Sequence, residues 1–302
     1  MKRIIGLTMA LVGFAGLAAD NIGDNIGDYL ASISVTVRAE GGYNRAEGSG
    51  TLFKRMVDGR EVVFCHTAAH VIAHTRSVRD EIVDGKPVKV VEFGSPFLVR
   101  KLRNPDTGRI VGETVVAAKV VRYSDAETGH DLALLRVLAK DFKAPNSVKF
   151  LSRDAKLVPL GTHLWGCGSL LGSDGANSIT DGVLSQHGRI LFRSTDFTQV
   201  STVAFPGSSG GGNFNDAGQY VGMLVRGTRT QGFNFLVPIK RMWGYYEKSG
   251  MAWCMDPSVK VTEKDISKTP IEDTVGTPGS GRGDEKKYPF LIRRIPLGGA
   301  GK

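Results

Sequence analysis

The feature that most constrains this chain is a succession of short apolar–polar alternating segments, cut by glycine and aspartate turns. ISVTV (33–37) alternates as a strand with one buried face does. GSGTLF (48–53) and REVVFC (60–65) come next, linked through Asp58–Gly59, a dipeptide suited to a tight hairpin. VKVVEF (88–93), TVVAAKVV (114–121), LALLRVL (132–138) and HLWGCG (163–168) continue the pattern. GVLSQHGRILF (182–192), TQVSTVAF (198–205), QYVGMLV (219–225) and FNFLVPI (233–239) complete it, with turn signals such as NPDTG (104–108) and NDAG (215–218) between. So many short strands with so little helix predict an all-β chain, built as a sandwich or a pair of barrels. After Pro238 the text changes to IKRMWGYYEKSG, which reads as a short C-terminal helix.

The ends read differently from the body. Lys2 and Arg3 precede an uncharged stretch from Ile4 to Ala19 that closes on small residues before Asp20. That is the pattern of a secretory signal peptide over 1–19, with a retained N-terminal anchor as the alternative. Export would make the chain secreted or periplasmic; retention would make it membrane-anchored. From Asp256 the sequence turns polar, so 256–302 is expected to be a flexible tail, with YPFLIRRIP (288–296) as a possible docking segment. The domain between is expected over 30–248.

Net charge is +9, from 39 basic against 30 acidic residues, but no basic run with interleaved aromatics marks a nucleic-acid face. No nucleic-acid partner is expected, and a membrane partner only if the N-terminal segment is kept. The three cysteines, Cys65, Cys167 and Cys254, allow at most one bridge and a spare thiol, so stability must come from the core.

AFPGSSGGGNF (204–214) concentrates glycine behind a proline and around two serines. A serine hydroxyl attacks only if a base removes its proton and a third group orients that base. The charge that develops needs backbone N–H donors, and glycine lets a loop present them. Gly207 and Ser209 could supply such a pair of amides. CHTAAHVIAH (65–74) follows one strand and GHDLALLRV (129–137) opens another, which makes His70 and Asp131 candidates for base and orienting carboxylate. His66, His70 and His74 also recur every four residues, but Thr67 stands where an HExxH zinc hydrolase needs glutamate, and Cys65 is expected on a strand. No metal and no cofactor are expected. Cys65 and Cys167 lie in no nucleophile motif, so buried small-hydrophobe roles are expected of them.

TAAH (67–70), HDLALL (130–135) and PGSSGG (206–211) together resemble the trypsin-like serine proteases, most of all the HtrA/Deg-like branch. WGCGSLLG (165–172), GVLSQHGR (182–189), GQYVGMLV (218–225) and FNFLVPIKRM (233–242) echo that branch's second barrel and closing segment. The resemblance covers roughly 30–245. It implies two packed six-stranded antiparallel β-barrels with the active site in the cleft. It implies a catalytic triad of His70, Asp131 and Ser209, and an oxyanion hole from the Gly207 and Ser209 amides. It also places Val203 at the base of the specificity pocket with Gly227 and Gly232 as its walls, which would favour an apolar or aromatic P1 side chain.

Two departures stand out. His70 and Asp131 are 61 residues apart (131 − 70), longer than usual in that branch, and the excess around 76–113 reads as an added hairpin or loop. Roughly 56 residues follow position 246, so no PDZ domain is expected after the protease domain. The function expected is a serine endopeptidase acting on proteins or peptides through an acyl-enzyme. A silent trypsin-like fold used as a binding module, or a viral or phage processing protease, is the alternative.

Overall fold

The computed structural model describes residues 25–273 except 84, 105, 192–194 and 229–231. The expected signal or anchor at 1–19, and residues 274–302 of the expected tail, lie outside the described residues.

A short helix, α1 (Ile26–Ile33), leads into the first group of strands: β1 (Ser34–Gly41), β2 (Asn44–Val57) and β3 (Arg60–Thr67). Next come the single turn α2 (Ala69–Ile72), then β4 (Arg76–Val83), β5 (Lys86–Phe93), β6 (Phe97–Arg103), β7 (Ile110–Ser124) and β8 (Leu132–Val137). Six of these close a barrel in the order β1-β2-β3-β8-β7-β6. β1, β2 and β3 pair in sequence because the Asp58–Gly59 hairpin is as short as its φ values of 47° and 76° allow. The barrel is filled by Val35, Val37, Leu52, Phe64, Leu98 and Leu134, all essentially without solvent contact. Burying a side chain of this kind contributes about 1.5–3 kcal/mol.

The second group holds β9 (Lys149–Phe150), β10 (His163–Leu170), β11 (Gly175–Leu191), β12 (Thr195–Val200), β13 (Gly212–Phe214), β14 (Gln219–Arg226) and β15 (Asn234–Pro238). They run β13-β10-β11-β12-β15-β14-β9, and a further β13–β14 pairing closes a ring of six with β9 outside it. Leu164, Leu184, Val200, Leu224 and Leu236 form its interior. The all-β expectation therefore holds. The strands it did not include are β4, β6, the two-residue β9 and the three-residue β13, whose sequences RSVRDEIV, FLVRKLR, KF and GNF carry too little alternation to stand out.

The excess between His70 and Asp131 is a hairpin of its own. β4 and β5 pair from Arg76↔Phe93 to Val83↔Lys86 as a separate two-stranded sheet outside the barrel. Its root is held by Gly94 N donating to Thr75 O at 3.0 Å, so it leaves the barrel's register undisturbed.

The helix expected after Pro238 is α3 (Ile239–Lys248), and the flexible-tail expectation is corrected for residues 256–273. Here α4 (Glu263–Lys268) starts from a capping box in which Thr262 and Asp265 bond each other's backbone N–H groups. Val261 and Ile266 are buried, and Val261 and Glu272 bridge to Val57 and Tyr123 of the first barrel. The Arg122 guanidinium, almost wholly enclosed, donates to the carbonyls of Pro270 at 2.6 Å and Glu272 at 2.9 Å and pairs with Asp273. Polar composition misled because the strap is fastened through backbone carbonyls and carboxylates to the guanidinium groups of Arg76, Arg122 and Arg136, not by apolar periodicity. Among the described residues, no helix is long and apolar enough to cross a membrane.

Candidate active site

Register alone brings two of the candidate residues together. β3 and β8 are neighbours with Thr67↔Ala133 paired, so the turn leaving β3 and the turn entering β8 meet at one barrel end. His70 lies on α2, three residues beyond β3, and Asp131 immediately precedes β8. His70 Nδ1 is 2.9 Å from Asp131 Oδ2 and 3.1 Å from Oδ1, and the His70 backbone N–H donates to Oδ1 at 3.1 Å. A carboxylate can only accept, so Nδ1 carries the proton and Nε2 is left as the basic nitrogen. The carboxylate is buried, while the His70 ring is more than a third exposed.

Asp131 is held from behind as well. Its φ of 56° is the left-handed conformation that aspartate tolerates better than most residues, and its N–H donates to Asp125 O at 3.2 Å. The His130 N–H donates to Ser124 Oγ at 2.8 Å. Arg241, at the start of α3, donates to the His130 carbonyl at 2.9 Å and lies 4.5 Å over the Phe197 ring. Burial pushes its guanidinium down to about 10, against the pull of the Asp196 and Asp131 carboxylates.

The serine loop belongs to the second barrel and is pressed onto the first. Gly210 has φ 90°, and a Cβ there would sit 2.1 Å from Ser49 O and 2.9 Å from Ala68 N, so only glycine permits this approach. Beside it, Ser209 O accepts from Ser49 N at 2.7 Å, which places the loop against the TAAH turn that carries His70. The two serines are not equivalent. Ser208 is buried, and its hydroxyl accepts from Phe205 N at 3.1 Å. Ser209 is partly exposed.

The loop's carbonyls are tied inward. Pro206 O accepts from Leu171 N at 2.7 Å, Ser208 O from Gly211 N at 3.0 Å, and Gly207 O from the Ser49 hydroxyl at 2.7 Å. In a trans peptide the N–H points opposite to the preceding carbonyl, so the Gly207 and Ser209 amides face the other way. Among the described residues neither donates to a protein acceptor. Unengaged backbone N–H groups beside a serine are the kind of donor that stabilises an oxyanion.

The family model described as "Trypsin-like peptidase domain" matches residues 48–223. The chain belongs to the trypsin-like peptidase family.

This trypsin-like chain is 27% identical over 204 residues to a "Serine protease Do-like HtrA" of Lactobacillus helveticus, covering 64% of this chain and 40% of that one. It is 33% identical over 137 residues to a "Probable periplasmic serine endoprotease DegP-like" of Pseudomonas putida, covering 43% and 27%. It therefore spans less than half the length of these curated relatives. Among solved structures, the HtrA-type protease AlgW with a tripeptide superposes at a TM-score of 0.51 with 20% identity, over 76% of this chain and 63% of that one. That similarity shows the fold.

Val203 borders a void of only about 10 Å³ among Gly166, Thr180 and Ser208. A Cβ built on Gly227 would meet Asn234 Oδ1 at 3.1 Å and Ala204 Cβ at 3.5 Å. Gly232 has φ 81°, and a Cβ built on it would lie 4.0 Å from Ser201 Cβ.

The three cysteines are all free and buried, so the single bridge that their number allowed is absent. Burial raises each thiol, Cys167 to about 12, which leaves them protonated at neutral pH. The three histidines diverge: His66 Nδ1 meets the Tyr246 hydroxyl at 3.0 Å, His70 meets Asp131, and His74 meets the Ala39 carbonyl. Sequence reasoning missed Ser49 and Arg241, because a serine between glycines and a helix arginine carry no signal until the barrels meet.

Proposed function

We propose that this trypsin-like chain is a serine endopeptidase in which Ser209 is the nucleophile, His70 the general base and Asp131 the group that orients it. The reading is carried by the His70–Asp131 pair at 2.9 Å beside a serine loop whose Gly207 and Ser209 amides are unengaged. Ser209 Oγ attacks the scissile carbonyl carbon as its proton passes to His70 Nε2. The carbonyl oxygen, now negative, takes hydrogen bonds from the Gly207 and Ser209 N–H groups. The tetrahedral species collapses as the imidazolium gives its proton to the departing amine, leaving an acyl ester on Ser209. Water then repeats the sequence, with His70 as base, and frees the acid. Asp131 keeps its charge throughout and stabilises the imidazolium.

The substrates of such a site are proteins or peptides. The signal pattern at 1–19 supports action outside the cytoplasm, as in the periplasmic relative.

Reaction of the purified chain with a fluorophosphonate probe tests the reading. Labelling that survives Ser208→Ala and is abolished by Ser209→Ala supports it. A folded wild type that never labels would sink it in favour of a binding module.

A further inference from the structure

The geometry points to Glu272 and Asp273 as positioning residues for the His70–Asp131 pair, fastening the segments behind both from outside the barrels. This rests on the serine endopeptidase reading, and it makes the seated C-terminal strap a condition of activity.

Asp131 closes a tight turn rooted at Tyr123. Asp125 O accepts from Gly129 N at 2.9 Å and from Asp131 N at 3.2 Å, and Ser124 Oγ accepts from His130 N at 2.8 Å. The turn holds Asp131 at φ 56°, a conformation that persists only where its surroundings over-determine it. The root of the turn lies beyond the reach of β6, which pairs with β7 from Ile110 to Ala117. At Tyr123 the strap takes that edge instead. Tyr123 N donates to Ile271 O at 2.7 Å, and Asp273 N donates to Tyr123 O at 3.3 Å.

The side chains extend the hold in two directions. Asp273 Oδ1 accepts from the Tyr245 hydroxyl at 2.8 Å, and the Tyr245 ring lies 4.8 Å from the ring of His130, the neighbour of Asp131. Glu272 Oε2 accepts from Arg76 Nη2 at 2.9 Å. Arg76 ends the turn that follows α2, where its N–H donates to Ala73 O, and α2 carries His70. Two consecutive residues thus reach the chain on the far side of each member of the pair. Apolar cover is supplied earlier in the strap, by Val261 and Ile266, so Glu272 and Asp273 are not needed for that. What they control is the 2.9 Å separation of His70 Nδ1 and Asp131 Oδ2. A shift of an ångström there breaks the hydrogen bond that orients the base.

The test is fluorophosphonate labelling of Ser209 well below the melting temperature, resolved into a maximal rate, kinact, and a half-saturating concentration, KI. Glu272→Ala/Asp273→Ala is expected to lower kinact by about tenfold or more with KI nearly unchanged. Glu272→Gln/Asp273→Asn keeps an oxygen at each place and is expected to restore most of kinact. A folded double-alanine variant that labels at the wild-type rate, whatever its melting temperature, marks a merely structural strap and overturns the inference alone. So does a conservative variant as slow as the alanine one. Should the alanine variant not fold, Tyr245→Phe removes only the hydroxyl that reaches Asp273, and it too is expected to slow kinact; a wild-type rate there overturns the inference. An unlabelled wild type overturns the endopeptidase reading and this inference with it.

Discussion

The Ser49 hydroxyl of the first barrel donates to the Gly207 carbonyl at 2.7 Å, and the same oxygen accepts from Ser169 N of the second barrel at 2.7 Å. One buried side chain thus joins β2, β10 and the serine loop, and it sets the peptide plane beside the Gly207 N–H. Ser49→Ala leaves the Ser169 amide and the Gly207 carbonyl without this partner, at a cost of about 1–3 kcal/mol. We expect a lower melting temperature and a fall in kcat larger than any change in KM, since the loop's donors act mainly on the transition state. A variant with unchanged kcat would show that the loop holds its shape without the clamp.

Asp131→Asn keeps the size of the side chain but presents an N–H or a neutral oxygen to His70 Nδ1. The imidazole then loses both its tautomer preference and the charge that stabilises its protonated form. The expected loss in kcat is about ten-thousand-fold at neutral pH, with the fold intact by circular dichroism. A loss of less than tenfold would mean that His70 is not the base.

His66 stacks on Phe53 with ring centroids 4.7 Å apart, and burial, with the Arg55 charge adding to it, lowers its imidazole to about 3. The ordinary value is 6.5, so below that the unfolded chain takes up a proton that the folded chain refuses until about pH 3. The sign is destabilising: stability falls as pH drops from about 6.5 toward 3. Replacing His66 with Gln, which does not titrate, should flatten this part of the stability–pH curve in urea titrations even if it lowers stability at pH 7. An unchanged acid slope would show that other groups govern it.

Arg122 holds the strap of residues 256–273 through Pro270 O, Glu272 O, Asp273 and the Tyr245 hydroxyl at 2.8 Å. Arg122→Ala strips these acceptors of their donor within the fold, a change expected to cost about 3 kcal/mol. Hydrogen exchange should quicken in residues 261–273 before it does in β7. Equal protection in both proteins would show that the apolar contacts of Val261 and Ile266 suffice.

Much of this was legible along the chain because the signals are local. Alternation marked most strands, the change of text after Pro238 marked α3, and each of His70, Asp131 and Ser209 sits in a short motif of its own. What stayed hidden needed two elements to meet. β13 has only three residues and exists because β10 and β14 flank it. The strap at 256–273 looks like a linker until Arg122 is placed among its carbonyls.

By itself the sequence determined the fold class and the residue types on offer for chemistry, since strand periodicity, turn glycines and a hydroxyl–imidazole–carboxylate set are properties of near neighbours. Only the tertiary structure decided which amides were left unengaged and which serine turned inward. Those follow from hydrogen bonds between residues more than a hundred positions apart, such as Ser49 and Gly207. A hydrogen bond is a matter of distance and angle in space, and neither is written in the order of the residues.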